Sequence, residues 1–169
     1  MMKTGRRAVA FAFAVIMIMS MTATVFAGSV TKKEAVNKAL KDAGLKRSQV
    51  RDLEAERDGG VYEIEFTKKK GNVDFDYEIR RKDGKILEKG VDYNRKRSPK
   101  GEKIGKDEAR KKAAKHAGVS LSDVESGSCS YDSKDREYDI KFWSSGNKYD
   151  YDIDAMNGKV REYSIEYRR

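Results

Sequence analysis

The sequence has a single cysteine, Cys129, so no intramolecular disulfide can staple this fold and packing alone must hold it. It has one histidine, His116, which leaves no histidine-rich metal site and no obvious general base. The one proline, Pro99, falls between two patterned regions rather than inside either. Beyond residue 27 no apolar run approaches the roughly 20 residues that a membrane-crossing helix needs. Five of the six methionines also precede that point, which excludes a methionine-rich binding surface in the remainder. No glycine-rich phosphate loop, metal-ligand cluster or hydrolase nucleophile motif occurs.

The first 27 residues do have a signature. Lys3, Arg6 and Arg7 precede an apolar run from Ala8 to Met19, and Val25-Phe26-Ala27 supplies small residues where a signal peptidase reads. These features predict a signal peptide over 1–27, cleaved after Ala27, and a secreted or cell-envelope protein. The alternative is a retained anchor, for which the run is short. No cysteine near Ala27 is available for lipid attachment.

Past residue 27 the chain carries one pattern twice. Residues 30–93, moved forward by 74 positions, fall on 104–167 with matching residues: Glu34 on Glu108, Ala35 and Ala39 on Ala109 and Ala113, Gly44 on Gly118, Tyr77 on Tyr151. Tyr62, Ile64 and Phe66 match Tyr138, Ile140 and Phe142 with a shift of 76, so register slips only between elements. Such self-similarity marks two copies of one folding unit. The expected organisation is repeat one over 28–93, a basic linker over 94–103 and repeat two over 104–169.

Each copy opens as a helix. Thr31 with Glu34 is a capping-box pattern, and Gly44 and Gly118 suit left-handed helix stops, with the second helix expected over Lys106–Ala117. The period then changes from 3.6 to 2. Weak strands are expected near Gln49–Arg57 and Val124–Ser133. Clear alternation comes next in Tyr62-x-Ile64-x-Phe66 and Phe75-x-Tyr77-x-Ile79 and in their twins. Asp83-Gly84 and Asn157-Gly158 favour tight hairpin turns. The fold class is therefore α+β, each repeat one helix on a four-stranded antiparallel sheet.

Lys and Arg outnumber Asp and Glu by 37 to 28, but the excess sits outside the repeats. Five cations and one acid lie in 94–103, and Arg168-Arg169 ends the chain. That distribution argues against a nucleic-acid groove, which needs a basic stripe on a domain.

Copy one reads Lys33-Glu34-Ala35, Ala43-Gly44, Tyr62-x-Ile64-x-Phe66, Tyr77-x-Ile79, Asp83-Gly84-Lys85-Ile86. Copy two reads Asp107-Glu108-Ala109, Ala117-Gly118, Tyr138-x-Ile140-x-Phe142, Tyr151-x-Ile153, Asn157-Gly158-Lys159-Val160. On these residues the chain resembles the PepSY domain family over nearly all of its length past residue 27. The resemblance implies exported, non-catalytic modules that bind or regulate peptidases, with no catalytic residues and no cofactor to carry over.

Candidate binding residues are few. Trp143 has the opposite parity from Phe142, so it is either a partner anchor on the open sheet face or a shield for its hairpin end. Arg95, Lys96 and Arg97 support an alternative function, an envelope-associated structural or adhesive protein binding anionic wall polymer or lipid surfaces. Asp150, Asp152 and Asp154 alternate like the start of a calcium loop, but Ala155 and Arg161 stand where that loop needs glycine and glutamate. A solvated carboxylate face is the default there and weak cation binding the alternative. Cys129 reads as a small strand residue, with an intermolecular disulfide as its alternative role. His116 reads as a polar group suited to a helix C-terminus.

Overall fold

The computed structural model describes residues 29–95 and 102–168; the expected signal segment 1–27 lies outside them, as do Lys96 and Arg97. Each half runs helix, then four strands. The first has α1 (Lys32–Asp42), β1 (Val50–Asp58), β2 (Val61–Lys68), β3 (Val73–Arg80) and β4 (Ile86–Asp92). The second has α2 (Lys106–Ala117), β5 (Ser126–Asp132), β6 (Glu137–Ser144), β7 (Asn147–Asp154) and β8 (Val160–Glu166). Both halves are antiparallel sheets carrying one helix, as the repeat implies.

Local chemistry sets the helix ends. Thr31 Oγ1 accepts from the Glu34 N–H while the Glu34 carboxylate accepts from the Thr31 N–H at 2.7 Å, so two otherwise orphaned donors are met. At the far ends Gly44 and Gly118 sit at φ 67° and 71°, which side-chain-bearing residues rarely adopt. The helices bury small residues, Ala35 and Ala39 in one and Ala109 and Ala113 in the other. Their small faces let each helix approach its sheet closely, and large strand residues fill the space. Ile64, Ile79 and Tyr77 are 0–2 % exposed in the first core, and Ile140, Ile153 and Tyr151 are equally covered in the second. Fully burying each such isoleucine stabilises the fold by about 1.5–3 kcal/mol.

The hairpins after β3 and β7 are wider than a two-residue turn. The Arg80 N–H donates to the Lys85 carbonyl and the Gly84 N–H to the Arg80 carbonyl, and only Gly84 (φ 71°) has positive φ. Asp154 plays the same part in the second half, where the Gly158 N–H donates to its carbonyl and Gly158 has φ 64°. The reason is a break in register just before each turn, between Glu78 and Ile79 and between Asp152 and Ile153.

The halves join through their last strands. β4 pairs antiparallel with β8 and makes one eight-stranded sheet in the order β1-β2-β3-β4-β8-β7-β6-β5. Gly90 faces Ser164, its own counterpart 74 residues on, so a pseudo-twofold axis passes between them. Matching bonds flank the axis: the Tyr93 N–H donates to the Arg161 carbonyl at 2.9 Å and the Tyr167 N–H to the Leu87 carbonyl at 2.8 Å. Lys89 and Val91 lie opposite Ile165 and Tyr163 on the helix side, so both helices cover the same face. Among the described residues no element covers the other face.

Candidate interaction surfaces

Strand register turns the alternation of each strand into rows across the uncovered face. Glu56, Glu63, Glu78, Glu88 and Glu166 stand directly opposite one another on five neighbouring strands. The row continues through Lys148 to Trp143. One row over, Glu54, Glu65 and Asp76 are neighbours; one row further in the same direction run Asp74, Asp92, Glu162, Asp152 and Asp139. Like charges directly opposite on adjacent strands destabilise a sheet. This face keeps them along most of its width. A chain with an excess of cations thus presents an anionic sheet, while Lys and Arg crowd the outer surfaces of the helices.

The carboxylates feel that crowding. Asp152 is pushed up to about 7, first by burial and then by Glu137, Glu162, Asp139 and Asp150. Burial likewise raises Asp76, with Glu65 adding to it, and raises Glu88, with Glu78 and Glu166 adding. The Asp76 carboxylate lies over the Cα of Gly90, where a side chain would displace it.

Trp143 lies on this face, opposite Lys148 and Ser126, and is 38 % exposed. It borders a shallow concavity with Glu78, Glu88, Glu166 and Arg168. An accessible indole beside a carboxylate row suits a cationic or amphipathic partner.

Asp150, Asp152 and Asp154 stand opposite Lys141, Asp139 and Glu137 of β6, and of the three only Asp154 is buried. Asp150 is on the uncovered face, paired with Lys141 at 2.8 Å, and Asp152 is beside it. Asp154 is 3 % exposed and accepts from the Met156 and Asn157 N–H groups at 2.8 and 3.2 Å, capping the turn into β8. The extra residue at the register break is Arg161 on β8, and Asp154 is buried because its carboxylate turns to these two turn amides. Glu137, Asp139 and Asp152 converge instead, with carboxylate oxygens within 4.8 Å of one another. Glu137 is also paired with Arg161.

Arg95 is exposed but lies back against the chain. Its guanidinium donates to the Val160 carbonyl at 2.6 Å and lies 4.4 Å from the centre of the Tyr93 ring. His116 belongs to the same seam. Its ring nitrogens lie 3.1 and 3.3 Å from the Tyr151 and Tyr93 hydroxyls, and it packs edge-on against Tyr163 at 4.9 Å. Burial, with Arg95 and Lys89 adding, holds its pKa below the ordinary value. Cys129 sits far away on β5, half-buried, its thiol raised by burial. The histidine and cysteine therefore make no nucleophile pair, and no helix among the described residues is long and apolar enough to cross a membrane.

The anionic rows escaped sequence reading because each strand was weighed alone. The signal was present: within each strand the acids share one parity, Glu63 and Glu65 in one and Asp74, Asp76 and Glu78 in the next.

Fold and surface together define a duplicated α+β module with one open, acidic sheet face. The PepSY family, described as peptidase propeptide and YPEB domain, matches residues 29–89 and again 103–163. The chain belongs to that family. No curated protein matches it significantly. Among solved structures it is similar to a "putative lipoprotein" of Clostridium difficile 630, at 19 % identity over 82 % of this chain and 95 % of that one, TM-score 0.30. It is similar to the YpeB C-terminal domain of Bacillus megaterium, at 16 % identity over 83 % and 67 %, TM-score 0.30. It also matches a BLIP-like protein of Bacteroides fragilis NCTC 9343, at 12 % identity over 84 % and 92 %, TM-score 0.30.

Proposed function

We propose that this chain is an exported binding module that docks on a peptidase through the uncovered face of its sheet and restrains it sterically. The observation that carries the reading is the row of five glutamates ending at Lys148 and Trp143. A sheet that keeps like charges opposite one another gives up stability on that face. A cationic partner surface would relieve the repulsion on docking. Size fits too. Eight strands span roughly 34 Å, and seven or eight residues of strand span roughly 25 Å. The resulting area of roughly 800 Å² is what one partner contributes to a standard protein interface. Trp143 supplies an aromatic anchor at one end, and the family's association with peptidases supplies the partner class.

The test is capture and inhibition by the protein lacking residues 1–27, using peptidases exported by the same cells. Binding should weaken steeply with salt. Trp143→Ala should weaken it by tenfold or more, and the triple change Glu63→Lys, Glu78→Lys, Glu88→Lys should abolish it. Peptidases left unbound and fully active by the unaltered chain would refute the reading.

A further inference from the structure

The sheet has two free edges, and they are unlike. β1 carries Arg51, Asp52, Glu54, Glu56, Arg57 and Asp58. It breaks register between Arg51 and Glu54, where Asp52 sits at φ 49°. Charge and a bulge are the usual devices that stop an edge from pairing with another chain. β5 has neither. From Ser126 through Ser130 it is serine, glycine and cysteine, paired with β6 in unbroken register. Its outer backbone groups face no strand.

Behind β5 is a cavity of about 270 Å³ between α2 and the sheet, lined by Ala114, Val124, Gly127, Ile140 and Phe142. Arg110 and Leu121 also line it, and Leu121 is 48 % exposed. The first half holds bulk at the matching positions. Leu40, the counterpart of Ala114, is 5 % exposed, and Leu53, the counterpart of Gly127, packs against the first core. Gly127 cannot regain a side chain in place, because a Cβ there would meet the Lys141 carbonyl oxygen at 2.6 Å. The second half has therefore drawn its edge strand tight against β6 and left a leucine-sized space open beside it.

We infer that β5 receives an extended segment of a partner protein as a ninth strand, with a branched apolar side chain entering the cavity and a neighbouring carboxylate meeting Arg110. The unpaired edge calls for an extended backbone. The apolar lining and the missing leucine bulk call for a side chain of that kind. Arg110 supplies the charge complementarity: it lines the cavity, and its pairing with Asp107 is loose at 3.7 Å. This surface lies at the edge, apart from the anionic rows, and the inference does not depend on a peptidase being the partner.

The experiment titrates the chain with capped nine-residue threonine-rich peptides centred on Glu-Leu-Glu, with Glu-Ala-Glu and Lys-Leu-Lys analogues. Affinity and backbone amide exchange are the readouts. Glu-Leu-Glu should bind and protect the β5 amides while leaving those of β1 unchanged. Leucine-to-alanine in the peptide should weaken binding by about tenfold or more, as should Ala114→Leu, which fills the space with the first half's residue. Arg110→Glu should shift preference to Lys-Leu-Lys. A cooperative melting transition no lower than that of the unaltered chain will show that the variants remain folded. Equal affinity for Ala114→Leu, unprotected β5 amides, or no binding up to about millimolar peptide would overturn the inference. Concentration-dependent protection of β5 without peptide would assign the edge to a second copy and overturn it equally.

Discussion

At the end of α1, Asp42 accepts from the Tyr77 hydroxyl at 3.0 Å and from Lys89 at 2.8 Å. Seventy-four residues on, His116 meets Tyr151, the counterpart of Tyr77, while Tyr163 stands where Lys89 stood. The tyrosine is retained and its partner is not. A buried hydroxyl must find a hydrogen-bonding group, and carboxylate and imidazole both serve. The edges differ in the same way, charged and bulged in one half, bare and hollow-backed in the other. The comparison teaches that duplication held fixed what the core requires and released whatever only needed its chemistry satisfied.

Damage to one half should reach the other if the joined sheet folds as one body. Ile64→Ala and Ile140→Ala should each cost about 3 kcal/mol, since both side chains are at most 2 % exposed. Trp143 reports only on the second half. If β4 and β8 make one cooperative unit, Ile64→Ala will lower the Trp143 fluorescence midpoint in denaturant together with the circular dichroism midpoint. A Trp143 transition that stays put would show two independent halves.

A pair of opposite substitutions sharpens the difference in packing. Leu40→Ala opens the first half and should cost about 2–3 kcal/mol. Ala114→Leu closes the second and should gain up to about 1 kcal/mol. Equal losses from both, measured by urea titration, would mean the second half has no room behind its edge.

The smallest effect concerns charge. Asp152 is raised to about 7, so the folded state holds its proton where the unfolded chain has lost it. Its contribution is complete below the ordinary carboxylate range and is lost as pH climbs through about 7. Asp152→Asn should therefore raise the melting temperature by a few °C at pH 8 and reduce the gain on acidification to pH 5. His116 works the other way, because a lowered imidazole pKa takes stability away as pH falls through its ordinary value. The Asp152→Asn difference isolates the carboxylate, and an unchanged pH profile would remove the case for crowding there.

Much of this architecture was legible in the residues. The 74-residue repeat, the Thr31 cap, the glycine stops and the outward parity of Trp143 all arise from local pattern, and the structure places each as that pattern implies. The seam was not legible. Leu87, Val91 and Tyr163 read as half-buried positions of any strand, and nothing local says which strand they will face. The register breaks before the two turns were hidden for the same reason.

The axis through Gly90 and Ser164 has a genealogical consequence. A solitary unit would end at a naked fourth strand, and the mate best shaped to cover it is an identical unit turned through a half circle. The protein is thus equivalent to a homodimer fused into one polypeptide. Fusion freed each copy from identity with its twin, which a true dimer of one gene product could never allow.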